Sequence, residues 1–224
     1  AMDFSKNWVA GNSSPEIIFA YVNNSRASSP LNFTLYVNDT DGSWNYAPSD
    51  WCYSSLFADD NTLSRKGDVR SKATFTSQDA NRVIKYPNGT YQLAETSDYT
   101  CTPVVISRIS EMYLIKAEAL GKTNGAAALV EYMKKRYTTA PSEAAIKALS
   151  DKEYQTLILD ERRREFYAEG MRWQDIKRTN RLELLETLDG RTYLMYYPIP
   201  QDEIDMAGTV AYPQNPGYAG YTGN

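Results

Sequence analysis

Three glutamates with helical spacing, Glu161, Glu165 and Glu169, are the residues of this chain that most suggest chemistry. On a helix they lie on one face, where like charges one turn apart repel by about 0.2–0.5 kcal/mol per pair. Such a row needs a neutralising partner, which could be a cation from another element, a metal ion, or a proton shared as in a catalytic dyad. The candidate arginines are Arg108, Arg172 and Arg178.

Two interpretations of this row compete. A glycosidase needs two carboxylates about 5–9 Å apart, and glutamates one helical turn apart could meet that distance. Catalytic pairs, however, usually come from different elements that face a cleft, and residues 160–178 carry five arginines whose guanidinium groups can fork onto carboxylates. The favoured interpretation is therefore an ion-pair network that locks the helix to its neighbours.

The composition narrows the function further. The 224 residues carry a net charge of −4 and contain no histidine. The absence of histidine excludes Ser-His-Asp and Cys-His catalysis and ordinary zinc sites. No extended basic stretch favours a nucleic-acid partner, and no apolar run approaches the roughly 20 residues of a membrane helix. We predict no cofactor; a bound Ca²⁺ stays open, although no loop has EF-hand spacing.

The two cysteines, Cys52 and Cys101, leave two alternatives. Their spacing fits neither a CxxC redox motif nor a zinc pattern. A disulfide in an exported protein and two unpaired core thiols are both consistent with the sequence. Neither a signal peptide nor a lipidation cysteine is recognisable near the start of the chain.

Aromatic residues supply a second candidate site, in the turn-rich segment 41–57. A sugar presents a C–H face that stacks on an aromatic ring and a rim of hydroxyls that polar side chains bind. Aromatic rings on a loop are costly to expose unless they pack on the core or bind a ligand, and both alternatives are open here. The candidate carbohydrate-binding residues are Trp44, Asn45, Tyr46, Asp50, Trp51 and Tyr53.

The sequence changes character near residue 106, which predicts a loop-rich region with short strands at 1–106 and a helical region at 107–224. Strands are predicted at 17–22, 31–37 and 193–197. Helices are predicted from 109 to Gly121, from 125 to 137, after Pro141, from the Ser150 capping box to about Glu169, from 173 to about 185, and from 201 to 205. The expected fold is mainly α with irregular and short β segments, and residues 108–137 resemble one tetratricopeptide-like helix pair.

Several short motifs recur in an order and spacing that resemble the SusD/RagB family, the outer-membrane nutrient-binding lipoproteins of starch-utilisation type. Each motif alone is weak, but together they cover the chain from residue 15 to residue 218. The motifs lie at 15–20, 67–70, 108–119, 161–165, 169–178, 198–204 and 214–218.

The resemblance implies a non-catalytic protein that binds oligosaccharide or polysaccharide at the bacterial outer-membrane surface and delivers it to a TonB-dependent SusC-like transporter. Family members are considerably longer, so the export signal, the lipidated cysteine and most tetratricopeptide-like helices are expected in a part that this chain lacks. Membrane association is expected only through that lipid anchor. Two alternatives of other classes stay open: a carboxylate-based glycoside hydrolase and a tetratricopeptide-like protein–protein adaptor.

Overall fold

The computed structural model describes residues 4, 7, 14–21, 48–74, 83, 85, 104–208 and 212–219. Its contacts divide the chain into two units, Ala1–Met171 and Arg172–Asn224. The boundary that the sequence suggests near residue 106 stays a prediction. The fold is mainly helical with short strands, as the sequence predicts. Among the described residues, no helix combines the length and the apolar character needed to cross a bilayer.

Helices dominate the N-terminal unit. They are α1 (Ser71–Thr74), α2 (Ile109–Met133), α3 (Glu143–Lys147) and α4 (Asp151–Glu165). Gly121, with a φ of 66°, interrupts α2 and separates its two helical segments, which confirms the predicted helix end at this glycine. The predicted loop at 122–124 is wrong, since these residues already belong to the second segment of α2.

Side-chain caps define where α3 and α4 begin. The Ser142 hydroxyl accepts a hydrogen bond from the Ala145 amide at 3.1 Å. At α4, the Ser150 hydroxyl accepts from the Glu153 amide at 3.2 Å, while the Glu153 carboxylate accepts from the Ser150 amide at 2.7 Å. This reciprocal pair is the predicted capping box, and it satisfies donors that the helix itself cannot use.

The far end of α4 differs from the prediction. The helix ends at Glu165, four residues before the predicted end at Glu169. The next turn contains two residues with positive φ, Ala168 at 61° and Gly170 at 79°. Because a left-handed residue cannot continue a right-handed helix, this turn redirects the chain and carries Glu169 off the helix face.

In the part of the chain that the structure describes, four short strands form two antiparallel pairs: β1 (Ile17–Tyr21) pairs with β3 (Val104–Arg108), and β2 (Lys66–Asp68) pairs with β4 (Tyr137–Thr139). Gly67 in β2 has a φ of 63°, and a Cβ built there would lie 2.1 Å from the Thr138 hydroxyl. Only glycine therefore fits this pairing. The strand predicted at 31–37 lies outside the described residues.

Residues 172–224 form the C-terminal unit, which α5 (Met171–Thr179) enters and which also contains α6 (Gln201–Met206). The helix predicted at 173–185 ends at Thr179 because Asn180 has a φ of 54°. The strand predicted at 193–197 is wrong: residues Thr192–Met195 form a 3₁₀ turn. A short apolar and aromatic run does not make a strand without a partner to bond.

The main hydrophobic core lies between α2, α3 and α4. The two helical segments of α2 and the helix α4 approach closely at Gly125, where a Cβ would lie 2.2 Å from the Ala117 carbonyl oxygen and 2.7 Å from the Tyr154 hydroxyl. The Tyr154 hydroxyl donates to that same carbonyl at 2.8 Å. The absence of a side chain at Gly125 therefore leaves room for the hydrogen bond from Tyr154 of α4 to the Ala117 carbonyl of α2.

Gly125→Ala is expected to lower the free energy of unfolding by about 1–3 kcal/mol, because the new methyl group overpacks the contact. The sign is informative, since the same change inside an unconstrained helix stabilises by roughly 0.5–1 kcal/mol. Asn124→Ala, at the exposed neighbouring position, should change stability by about 0.5 kcal/mol or less. Urea unfolding followed by circular dichroism measures both; stabilisation by Gly125→Ala would contradict the close approach.

Candidate functional site

A buried ion network lies where α4 meets β1, β2, β3 and the end of α2. We use this name for a set of carboxylates and cations that lie within 4.0 Å of one another. Its carboxylates are Glu16, Asp68, Glu161, Glu165 and Glu169, and its cations are Arg70, Lys85, Arg108, Arg136 and Arg164. The charges in this set balance five to five, which permits the burial of so many ionised groups.

Glu165 is at the centre of the network and is fully buried. Its Oε2 lies 3.2 Å from Arg70 Nη1 and 3.0 Å from Arg136 Nε, and it accepts a hydrogen bond from the Tyr132 hydroxyl at 2.7 Å. Its Oε1 accepts from Arg136 Nη2 at 3.0 Å and from Arg108. Both carboxylate oxygens are thus saturated by donors from three different segments of the chain.

Glu161, one turn earlier on α4, is also fully buried. Its Oε2 lies 3.0 Å from Arg70 Nη2, and its Oε1 accepts from Arg164 Nη1 at 2.9 Å and from the Tyr137 hydroxyl at 2.5 Å. Asp68 completes the environment of Arg70 at 2.6 Å. Arg70 therefore bridges the two glutamates and explains why they tolerate each other's charge.

Glu169 joins the network although it lies beyond the end of α4. Arg108 Nη2 lies 2.8 Å from Glu169 Oε1, and Lys85 donates to the same oxygen. Lys85 also donates to the main-chain carbonyls of Glu165 and Tyr167, at 2.7 and 3.0 Å. These bonds satisfy carbonyls at the end of α4 that the helix leaves without partners.

The electrostatics keep both central glutamates ionised. Burial alone raises the pKa of Glu161, but Arg70 and Arg164 outweigh it and hold the pKa below the usual 4.5. Burial likewise raises the pKa of Glu165, and Arg136, Arg108 and Arg70 outweigh it by more, so this pKa lies well below 4.5. A general acid needs a raised pKa and access to substrate, and neither glutamate has them.

The favoured interpretation of the glutamate row as an ion-pair network is confirmed, and so is Arg108 as one of its predicted partners. Arg178 pairs with Asp175 of its own helix at 3.0 Å. A contact of Arg172 or Arg178 with the glutamate row stays a prediction. Arg70, Arg136 and Lys85 were missed. The sequence did flag Arg70, as the last residue of the 67–70 motif, without indicating its role.

The predicted aromatic segment is described from residue 48 onward, and Trp44, Asn45 and Tyr46 lie outside the described residues. Trp51 is 46% exposed. The guanidinium carbon of Arg163, on α4, lies 4.3 Å from the centre of the Trp51 ring, a distance at which a cation stabilises an aromatic face. The Arg163 guanidinium therefore contacts one side of the ring, and part of the indole surface remains accessible.

The neighbours of Trp51 divide between surface and core. Asp50 is exposed beside it, while Tyr53 is half-buried and packs against the small core formed around Leu56 and Phe57. The structure therefore places Asp50 and Trp51 at the surface and turns Tyr53 inward. Whether any of the six candidate residues contacts a carbohydrate stays a prediction.

A π-helical turn, Cys52–Leu56, supports this segment. Its last carbonyl, that of Leu56, accepts from Arg164 Nε at 2.6 Å. Cys52 is a buried free thiol, 3.6 Å from the Tyr167 hydroxyl; Cys101 lies outside the described residues. Burial and the Cys52 contact raise the pKa of Tyr167, so its hydroxyl stays protonated. Both contacts attach the segment to α4 and the turn that follows it.

No group of three or more Cys, Asp or Glu side chains within the described part of the chain is arranged to hold a metal ion. The clustered carboxylates of the ion network already form ion pairs with arginine and lysine side chains.

Comparison with known proteins identifies the class. A sequence model of the SusD family matches residues 33–192, and the chain belongs to that family. A SusD-like protein of Formosa agariphila is 34% identical over 100 residues, which make up 41% of this chain and 20% of that protein. A crystal structure of a SusD superfamily protein from Bacteroides vulgatus is similar at 25% identity and a TM-score of 0.47, over 68% of this chain and 36% of that one. The chain thus corresponds to only part of each relative.

Glu165→Gln is expected to lower the free energy of unfolding by about 3–5 kcal/mol, because three buried guanidinium groups lose a balancing charge. The matched control is Glu143→Gln, which removes a half-exposed partner of Lys147 and should cost about 0.5 kcal/mol or less. Chemical denaturation of both variants provides the comparison. Equal effects would show that the network contributes no more than a surface ion pair.

Acid should unfold the protein through Glu161 and Glu165. Their folded-state pKa values lie below the unfolded value of 4.5, so the unfolded chain takes up these protons first. Their stabilisation is therefore complete above pH 4.5 and declines as the pH falls toward the folded-state values. In Glu161→Gln, which does not titrate at this position, stability should depend less steeply on pH below 4.5. An unchanged slope in that variant contradicts this assignment.

Proposed function

We propose that this chain binds oligosaccharide or polysaccharide without catalysing its cleavage, and that the surface around Trp51 forms part of the binding site. The observation that carries the proposal is the exposed indole of Trp51, backed by the Arg163 guanidinium at 4.3 Å. An aromatic ring held in place loses little conformational freedom when a sugar stacks on it. Asp50, exposed beside the ring, supplies acceptors for sugar hydroxyls.

The state of the glutamates supports binding over hydrolysis. A retaining or inverting glycosidase needs one protonated and one ionised carboxyl group flanking a substrate. Glu161 and Glu165 are both ionised, both fully buried and both saturated with donors. The carboxylates whose spacing first suggested hydrolysis therefore act in the scaffold.

Family membership extends the proposal to a place in nutrient uptake. SusD-like proteins act at the bacterial outer-membrane surface, which supports a role in presenting a bound glycan to a TonB-dependent SusC-like transporter. The partner, the location and the lipid anchor are proposals for this chain, since it spans only part of its relatives.

A protein-docking function is the second candidate, and one surface favours it. Ile109, Met112 and Ile115 recur every three residues along the start of α2 and are 41–45% exposed. Ile106, at the adjoining strand β3, is 49% exposed. A cluster of large apolar side chains on one exposed helix face is typical of a surface that another protein covers.

Calorimetric titration of the chain with a panel of soluble polysaccharides tests glycan binding. Single shallow sites of this kind bind at micromolar to millimolar dissociation constants, about −4 to −8 kcal/mol. Trp51→Ala should weaken the binding at least about tenfold, because stacking on the ring is lost. Trp173→Ala, which removes a tryptophan that is 39% exposed in the C-terminal unit, is the matched control and should bind like the unchanged protein.

Two results would overturn the proposal. Binding that survives Trp51→Ala unchanged would exclude this surface as the site. Failure of every polysaccharide to bind the chain, with a native circular-dichroism spectrum, would favour the docking function of the α2 surface instead.

A further inference from the structure

A cavity of about 500 Å³ lies entirely within the C-terminal unit. Its volume is within the range of small-ligand sites. The side chains that line it combine tyrosine rings with amide, hydroxyl and ammonium groups. Among them are Lys177, Asn180, Thr192, Tyr193, Tyr196 and Asn215.

Residues of the last two family motifs, 198–204 and 214–218, hold the walls of this cavity in place. The Tyr218 hydroxyl donates to the Tyr196 carbonyl at 2.6 Å, and the Asn215 side-chain amide donates to the Tyr197 carbonyl at 2.8 Å. The buried amide of Gln214 bonds both ways to the main chain of Ile199, at 2.7 and 2.8 Å. These bonds fix the backbone that carries Tyr196, so the cavity is formed before any ligand arrives.

One tyrosine of the wall is packed and another is accessible. The Tyr193 ring contacts the Tyr218 ring edge to face at 5.1 Å and lies against Gly217, where a Cβ would come within 2.3 Å of it. Tyr196, in contrast, is 61% exposed. Tyr193 therefore supports the wall, while Tyr196 presents a ring on which a ligand can stack.

Lys177 gives the cavity a positive charge. Its Nζ lies 5.3 Å from the centre of the Tyr196 ring, within the range of a cation–π contact. No carboxylate of the described residues lies within ion-pair distance of this ammonium, and the side chains of Asn180 and Thr192 have no hydrogen-bond partner there either. The donors beside the ring are thus available to a ligand.

We propose that this cavity binds a sugar unit that carries a carboxylate, such as a uronate residue of an acidic glycan. The sugar's C–H face stacks on Tyr196, its carboxylate pairs with Lys177, and its hydroxyls bond to Asn180 and Thr192. The inference rests on the proposed glycan-binding function and names a charge class for the ligand.

The same pairing of a cation with an exposed ring occurs in the N-terminal unit. Arg163 lies over Trp51 at 4.3 Å, and within the described ranges no carboxylate pairs with this guanidinium. The two surfaces belong to different units, yet each offers an aromatic face and an uncompensated positive charge. A carboxylate-bearing glycan matches both, whereas a neutral glycan uses only the rings.

Calorimetric titration with oligogalacturonate, oligomannuronate and hyaluronan oligosaccharides, each against its methyl ester, tests the inference. The ester keeps the sugar and removes the charge. The acid form of at least one glycan should bind about fivefold more tightly than its ester. With the other surface disabled by Trp51→Ala, Lys177→Gln should remove most of that difference, and Tyr196→Ala should weaken both forms about tenfold.

Tyr197→Ala is the matched control for the ring. Tyr197 is the next residue, is 92% exposed and does not line the cavity, so its loss should change the dissociation constant less than about twofold. Lys152→Gln, on the exposed start of α4, controls for the change in net charge in the same way.

The outcomes separate this inference from the proposed function. If Trp51→Ala abolishes glycan binding while Lys177→Gln and Tyr196→Ala leave it unchanged, the proposed function stands and the C-terminal cavity is not a site. If Tyr196→Ala weakens the acid and the ester but Lys177→Gln does not reduce the preference for the acid, the proposed charge class is wrong. If none of these glycans binds the folded chain, the inference is overturned.

Discussion

The carboxylate of Glu165 is the group on which the N-terminal unit depends. It is fully buried, so protein donors must replace all of its water. Those donors are Arg70, Arg108, Arg136 and the Tyr132 hydroxyl, which come from three separate segments. Apolar packing is non-directional, whereas these bonds require each segment to arrive at one position and one angle. The network therefore determines which strand end lies against which turn of α4.

The candidate binding surface follows from the same helix. Glu161 and Glu165 face inward from α4, while Arg163, between them in sequence, reaches Trp51. Arg164 serves both sides, since it binds Glu161 through Nη1 and the Leu56 carbonyl through Nε. The buried ion pairs therefore fix the arginines that hold the aromatic segment. A ring held in this way loses little conformational freedom when it binds a ligand.

Local signals in the sequence predict much of this fold. The Ser150 capping box, the break at Gly121 and the first short strand depend on neighbouring residues, and each lies where the pattern indicates. The sequence did not predict the helix end at Glu165, because Ala168 adopts a positive φ that alanine rarely takes. The strand predicted at 193–197 is wrong because strand pairing depends on a partner that a short apolar run does not reveal.

The charged site shows the same limit more sharply. The glutamate row and its need for cations are visible in the sequence, because helical spacing places like charges together. The sequence does not show which cations pair with the glutamates, because the fold brings them together from distant positions. Arg70 is 95 residues from Glu165, and Lys85 is 80 residues from it. The aromatic site is harder still, since only the fold separates an exposed Trp51 from a packed Tyr53.

These long separations also bear on how the chain reaches its native state. Arg136 and Glu16 pair across 120 residues, and α4 emerges after almost every cation that it needs. During synthesis Arg108 and Arg136 therefore precede Glu165, and their ion pairs with it can form only once α4 has been made. Contacts between segments so far apart in sequence slow folding, because the chain between them must close into a loop first, and intermediates that lack these contacts expose apolar surface. We therefore expect the buried ion pairs of Glu165 to form late in the folding of the N-terminal unit.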